Sequence, residues 1–379
     1  MRTTLDPHLI DPCANEPGLV VDLRDARRAL LFDLGEIDRL APRVLLRATH
    51  AFVTHTHMDH FAGFDHWLKL GLGRTPRLVL WGGPGFVDQL EHKLRAYTWN
   101  VVHRYEVPMR IEVHSLEADG ARYHAHFDSR ELFVRRNAPS DPPGDSDLLL
   151  DEALFSVRGR IVDHEMPVLA YAIDEKAELR VAADRVRAMG LTTGPWLRDL
   201  KDALLAGAPD DTVIDMAWRD RDGEHRQQRS VGELRSLVLD AVPGRRIGYV
   251  TDLRFTEANI EQLSRHLMDV DLLYIESRFL DEEHEQAARK NHLTARQAGE
   301  IARRLRARRL VPFHFSPRYR GREDDLRAEA MAAWGGSPHA MAITSPRSCR
   351  FRHWPRRSCA RHWPPAASSC RARSSRRCC

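Results

Sequence analysis

The chain has 379 residues, 42% of them hydrophobic, so it can bury the core of one large domain or two small ones. No stretch reaches the roughly 18 consecutive apolar residues of a membrane span. The first residues also lack the charged segment followed by an apolar segment that is typical of a secretory signal, so a cytoplasmic protein is expected. Residues 347–379 contain ten Arg and no acid, so subtracting these ten charges from the net +4 leaves −6 for residues 1–346. Five of the six Cys lie at the same end, so the even number of Cys predicts no disulfide framework.

The first elements predicted along the chain are two short apolar strands at residues 19–23 and 29–33. A further strand at 77–81 is followed by a glycine-rich turn and an amphipathic helix at 86–97. This alternation predicts a layered α/β fold. We expect one domain over residues 1–345, with inserted loop or arm segments at about 104–160 and 175–225.

Residues 54–60 read Thr-His-Thr-His-Met-Asp-His and directly follow an apolar run. A strand ending at Thr54 would deliver His55 and His57, two residues apart, to the same side of the chain. Asp59 and His60 then fall in the following turn, where they can reach a second ion. Imidazole and carboxylate without thiolate suit zinc or a similar divalent metal and leave room for water. The string predicts a catalytic metal site rather than a solvated loop rich in His.

This string resembles the signature of the metallo-β-lactamase superfamily, and three later motifs follow in that family's order. His164 follows Asp163 and resembles the lone His that completes the shell of the first metal. Asp252 ends an apolar strand and is similar to the Asp that bridges both metals, whereas His314 is similar to the last ligand of the second metal. The resemblance implies an αββα sandwich with two divalent metal ions, zinc first and manganese as the alternative.

Local segments narrow the resemblance to the ribonuclease Z branch. Residues 291–300, NHLTARQAGE, resemble the H-S-T-x-x-Q-A segment of those enzymes with Leu293 in place of Ser, and residues 315–319, FSPRY, resemble their S-x-R-Y. Residues 190–201 are similar to landmarks of the protruding arm that grips transfer RNA. The H-E-A-T tetrapeptide of the family reads IESR at 275–278, so only Glu276 carries over.

The chemistry that this resemblance implies is cleavage of a phosphodiester, because two metals can share a hydroxide and stabilise both the attacking and the leaving oxygen. Asp59 would ligate one metal and orient the hydroxide. His292 would bind the scissile phosphate or protonate the leaving 3′ oxygen, with Glu276 as its orienting carboxylate. The alternative for His292 is an ordinary polar residue at a helix start.

Two charged segments leave alternatives open. Arg and Lys between residues 180 and 201 could line an RNA-binding arm, but interleaved Asp residues are equally typical of an ordinary charged helix. The tail at 346–379 could be an Arg-rich arm for RNA, although its composition favours a disordered, out-of-frame end.

Three functions therefore compete. The first is an endonuclease that processes the 3′ end of precursor transfer RNA. The second is a hydrolase of the same fold that acts on a small-molecule phosphodiester or ester, which the acidic body favours because RNA binding calls for a basic surface. The third is a metal-binding protein without turnover. The resemblance also leaves room for a homodimer.

Overall fold

The structure, a computed structural model, describes residues 5–12, 16–23, 26–144, 146–176, 178–191, 194–205, 207–220 and 223–336. Between Leu5 and Gly336 these residues belong to one compact unit. Cys13 and the tail at 346–379, with the expectations attached to it, lie outside the described residues. Within the described ranges, no helix combines the length and the apolar character that crossing a bilayer would require.

The first sheet has eight strands arranged in sequence order, and its inner strands β3 to β6 run parallel. The strands are β1 (Leu5–Leu9), β2 (Leu19–Leu23), β3 (Arg28–Phe32), β4 (Ala48–Phe52), β5 (Arg77–Gly82), β6 (Arg110–Leu116), β7 (Arg122–Asp128) and β8 (Arg135–Asp141).

The second sheet has six strands in the order β18-β17-β16-β11-β10-β9, of which β16, β17 and β18 are mutually parallel. The strands are β9 (Leu148–Asp151), β10 (Phe155–Asp163), β11 (Pro167–Glu175), β16 (Arg246–Val250), β17 (Leu272–Glu276) and β18 (Leu310–Phe313).

Alternation along the strands explains how the two sheets stack. On β11, Leu169 and Tyr171 are buried between the sheets, whereas Val168 and Ala170 pack against helices on the opposite face. Successive strand residues point to opposite faces, so a strand that is apolar at every position must be covered on both sides. The expected αββα sandwich is confirmed.

In the part of the chain that the structure describes, four α-helices cover the outer face of each sheet. On the first sheet they are α1 (Pro42–Leu45), α2 (Met58–Phe61), α3 (Phe64–Gly71) and α4 (Phe86–Arg95). On the second sheet they are α8 (Glu257–Leu267), α9 (His284–Arg289), α10 (Ala295–Arg304) and α11 (Glu323–Trp334).

The stretch from about 104 to 160, expected as an inserted segment, instead supplies β6 to β10 of the two sheets. Ile111 and Val113 of β6 are buried beneath the helices, and β6 pairs along its length with β5. Burial on the sandwich therefore accounts for β6, β7, β9 and β10, whereas β8 is almost fully exposed at the edge of the first sheet.

The second expected insertion, at about 175–225, lies within a module that runs on to residue 242 between β11 and β16. It contains β12 (Glu178–Val181), α5 (Ala183–Ala188), α6 (Trp196–Leu205), β13 (Val213–Asp220), β14 (Gly223–Ser230), α7 (Val231–Val238) and β15 (Leu239–Val242). We call residues 178–242 the arm module. A separate hydrophobic cluster holds it together, centred on Trp196, Met216 and Leu234.

The arm module begins and ends at one edge of the second sheet. The Glu175 amide donates to the Arg245 carbonyl at 2.9 Å, so the chain leaves and returns at neighbouring points. β11 spans nine residues, which places this edge about 26 Å from the start of the strand at Pro167. The module therefore starts at the end of β11 that lies away from His164.

Candidate metal centre

The candidate site lies at the edge where the carboxyl ends of several strands from both sheets meet. His55 follows β4, Asp252 follows β16, and His314 follows β18, whereas His164 occupies the tight turn between β10 and β11. The Thr251 hydroxyl donates to the Thr54 hydroxyl at 3.2 Å and joins the two sheets at this edge. Parallel strands end at the same edge, so residues far apart in sequence are brought to one place.

One group of side chains consists of His55, His57, His164 and Asp252, whose ligand atoms all lie within 4.8 Å of one another. His55 Nε2 and His164 Nε2 are each 3.6 Å from Asp252 Oδ2. Three imidazoles and a carboxylate are a donor set suited to zinc.

A second group consists of Asp59, His60 and His314. His60 Nε2 lies 3.4 Å from Asp252 Oδ2, and His314 Nε2 lies 3.0 Å from Asp252 Oδ1. Asp59 is further out, with Oδ2 3.9 Å from His60 Nε2 and 4.0 Å from His314 Nε2. The seven residues predicted as ligands thus form two groups with Asp252 between them.

The imidazole nitrogens of these groups fit a metal better than a hydrogen-bonded cluster. His55 Nε2 and His60 Nε2 are buried without a hydrogen-bond partner. His164 Nδ1 donates to the Asn291 carbonyl at 2.8 Å, and this bond leaves the lone pair on His164 Nε2. Buried polar atoms without a partner are costly, and a cation between them would remove that cost.

The charge states of His55 and Asp252 agree with this assignment. Burial, reinforced by the neighbouring His60, lowers the pKa of His55 and keeps it neutral. Burial alone would raise the pKa of Asp252, but His60 and His314 outweigh it and hold that pKa well below its usual value. The cluster therefore offers a neutral His55 and an ionised Asp252, the forms that bind divalent cations. Burial would lower the pKa of His60, but Asp252 and Asp33 outweigh it and raise that pKa, so the His60 ring must release a proton when it binds a metal.

Glu276 and His292 form a pair beside the cluster. His292 Nδ1 lies 2.9 Å from Glu276 Oε2, and the Leu253 amide donates to Glu276 Oε1 at 2.9 Å. Burial would lower the pKa of His292, but the carboxylates of Glu276 and Asp252 outweigh it, so that pKa is raised. His292 Nδ1 is 3.9 Å from Asp252 Oδ1, which puts this imidazole next to the candidate ligands.

Asp33 is a residue of the site that the sequence analysis did not identify. It is fully buried at the end of β3, and its Oδ2 lies 2.9 Å from His60 Nδ1. The Thr54 amide donates to Asp33 Oδ1 at 2.7 Å, and the Tyr249 hydroxyl donates to Oδ2 at 3.2 Å. The available signal was an apolar strand ending in an acid, the same pattern that pointed to Asp252.

Arg278 is the second residue that the sequence analysis left without a role. Its guanidinium Nη1 lies 2.7 Å from His314 Nε2 and 3.3 Å from His314 Nδ1. The available signal was the departure from the H-E-A-T tetrapeptide, because a cation stands there in place of Thr.

The sequence is similar to several known proteins. The model of the beta-lactamase superfamily domain matches residues 208–315. Ribonuclease Z of Deinococcus radiodurans is 31% identical over 331 residues, which cover 86% of this chain and 93% of that protein. Ribonuclease Z of Thermobifida fusca is 31% identical over 318 residues, covering 83% of each. A crystal structure of human tRNase Z, short form, aligns with a TM-score of 0.48 at 17% identity, covering 83% of this chain and 93% of that one.

Proposed function

The chain belongs to the ribonuclease Z family of metal-dependent endoribonucleases, and on that premise we propose that it cleaves precursor transfer RNA at its 3′ end. The observation that carries the proposal is the meeting of two groups of His and Asp side chains at Asp252. A site with two such groups suits a phosphodiester, since a pair of cations can stabilise both the attacking and the leaving oxygen.

The proposed metal ligands are the seven residues of the two groups. His55, His57 and His164 would hold one ion, Asp59, His60 and His314 the other, and Asp252 would bridge them. Zinc is the metal that this set favours, with manganese as the alternative. When bound, the metals would supply an acidified water and an electrophilic contact to the phosphate.

Asp59 is proposed to have a second role besides ligation. Its side chain is 29% exposed, unlike the buried His60 and His314, so it faces the open side of the cleft. A carboxylate in that position can accept a hydrogen bond from the attacking water and orient it.

His292 is proposed as the proton donor for the leaving 3′ oxygen. Glu276 is bound to Nδ1, which leaves Nε2 for the substrate, and the raised pKa favours the protonated ring. As the oxygen of the attacking water bonds to phosphorus, the bond between phosphorus and the 3′ oxygen would break, and the proton on Nε2 would pass to that leaving oxygen. The products are a 3′ hydroxyl on the body of the RNA and a 5′ phosphate on the trailer.

The arm module is proposed to hold the RNA at a distance from the cut. It has its own core and starts about 26 Å from His164, a separation suited to contact with a helical stem. The charge of the arm module does not support RNA binding, because residues 178–242 contain ten Arg and Lys against twelve Asp and Glu. Shape and individual basic residues would have to provide the grip.

The excess of acidic residues in the arm module, together with the acidic body of the chain, favours a second candidate function because RNA binding calls for a basic surface. This candidate is hydrolysis of a small-molecule phosphodiester. A homodimer and a cytoplasmic location also stay predictions. Size-exclusion chromatography with light scattering would test the first, and localisation of the tagged protein in cells would test the second.

The deciding experiment compares two substrates on metal-loaded protein. Purified protein with zinc quantified by elemental analysis is assayed on precursor transfer RNA and on bis-p-nitrophenyl phosphate. We expect two metals per chain and cleavage of the RNA at the 3′ boundary, with both lost in Asp252→Ala. Turnover of the small substrate alone would assign the second candidate. A stoichiometry of no more than one metal would remove the two-metal site.

A further inference from the structure

Among the described residues Arg278 has no counter-ion, whereas two other arginines near the site have one. Arg254 pairs with Asp163 at 3.4 Å, and Arg318 pairs with Glu283. No carboxylate of the described residues lies within ion-pair distance of Arg278, whose closest contact is the neutral ring of His314. A cation held in a cleft without a counter-ion is suited to an anionic ligand.

The backbone of Arg278 is fixed at the site. It follows β17 by two residues, and the Ser316 amide donates to the Arg278 carbonyl at 3.1 Å. This bond ties the loop after β17 to the loop after β18, which carries His314. The guanidinium can therefore move only by turning its side chain, and it stays next to the cluster.

The contact with His314 conflicts with a cation at that nitrogen. Arg278 Nη1 lies 2.7 Å from His314 Nε2, and a guanidinium only donates hydrogen bonds, so Nε2 accepts this bond with its single lone pair. That lone pair can accept from Arg278 Nη1 or bind a metal, but not both. When the Asp59, His60 and His314 group holds a cation, the guanidinium must leave Nε2.

We propose that Arg278 is a phosphate-binding residue, whose guanidinium competes with a metal for His314 Nε2 and binds a phosphodiester oxygen when a metal holds that nitrogen. The inference rests on the proposed function, because a phosphodiester is the anion that this site would take. Arginine matches phosphate through two parallel hydrogen bonds, which Thr at this position could not supply.

The test uses Arg278→Met, which removes the charge while keeping most of the side-chain volume, and Arg278→Lys, which keeps the charge without the planar pair of donors. Arg254→Met, a cleft arginine with its own counter-ion, is the matched control. Thermal unfolding establishes that each variant is folded. Zinc is titrated calorimetrically into the apo proteins, and inorganic phosphate is titrated into the zinc-loaded proteins.

In Arg278→Met the second equivalent of zinc should bind about tenfold more tightly, because no guanidinium has to be displaced. Phosphate should bind about tenfold more weakly, and KM for bis-p-nitrophenyl phosphate should rise more than kcat falls. Arg278→Lys should fall between wild type and Arg278→Met in phosphate binding. Arg254→Met should match wild type in both titrations.

Unchanged phosphate binding in Arg278→Met would overturn the inference, whatever happens to zinc, because Arg278 would then only occlude the metal position. Unchanged zinc binding would overturn the displacement step. If wild type cleaves neither substrate, the proposed function fails, while the two titrations still report on Arg278 independently.

Discussion

Asp33→Asn should weaken the second metal position without unfolding the protein. Asp33 Oδ1 accepts from the Thr54 amide at 2.7 Å, and Oδ2 lies 2.9 Å from His60 Nδ1. Asparagine keeps the shape of Asp but offers only one acceptor oxygen, so one of these two contacts must face an NH2 group.

The size of the effect of Asp33→Asn depends on which of the two contacts the oxygen of the Asn side chain keeps. If its oxygen faces the Thr54 amide, its NH2 faces His60 Nδ1. The ring then moves its proton to Nε2, the nitrogen 3.4 Å from Asp252 that should bind the metal. Loss of such an orienting partner costs about 10- to 100-fold in metal affinity. If the oxygen faces His60 instead, the Thr54 amide is left unsatisfied at a cost of about 1–3 kcal/mol.

The assay is zinc titration against a competing chelator, combined with denaturant unfolding of the apo protein. Asp22→Asn is the matched control, since Asp22 is a strand carboxylate paired with Arg47 at 3.0 Å and 27% exposed. It should bind zinc as wild type does and lose no more than about 1 kcal/mol. Two zinc ions bound by Asp33→Asn with wild-type affinity, together with unchanged stability, would refute the reasoning.

Four further changes test the remaining assignments. Asp59→Ala should lower both metal content and turnover on every substrate, and retention of two metals would exclude ligation. His292→Ala should keep the metals but slow RNA cleavage by about 10² to 10⁴, and less for p-nitrophenyl esters, whose leaving group needs no proton. An equal loss on both substrates would make His292 a phosphate binder. Replacing residues 178–242 by a short turn should spare hydrolysis of bis-p-nitrophenyl phosphate and abolish cleavage of precursor transfer RNA, because β11 and β16 already end side by side; full RNA activity would exclude a role for the arm module. Removing residues 346–379 should change neither folding nor metal content, whereas insoluble protein would show that the tail belongs to the core.

The family and the fold could be predicted from local sequence patterns. Short strand signals, the string at residues 54–60 and the later strand-end acids and histidines were sufficient to predict the superfamily, the ribonuclease Z branch and the αββα sandwich, all of which are confirmed. These signals are readable because each depends on a few consecutive residues: an apolar strand and the polar side chain at its end.

Strand pairing could not be predicted from local sequence patterns in the same way. β6 to β10 looked like an insertion because their sequences do not show that β6 pairs with β5 and β10 pairs with β11. That pairing is decided in the folded chain. Asp33 could not be identified for the same reason. In the sequence it is only an acid at the end of a strand, and the fold brings it into contact with His60, which is 27 residues away in the chain.

By itself, the sequence determined the chemical types of the groups and their order along the chain. The tertiary structure alone decided which of them meet: Asp252 between two groups of ligands, His164 held by the carbonyl of Asn291, and Arg278 against His314. The physical reason is that these contacts join residues far apart in sequence, and their energies depend on burial and on distances of a few ångströms. Only the packing of the two sheets face to face sets those quantities.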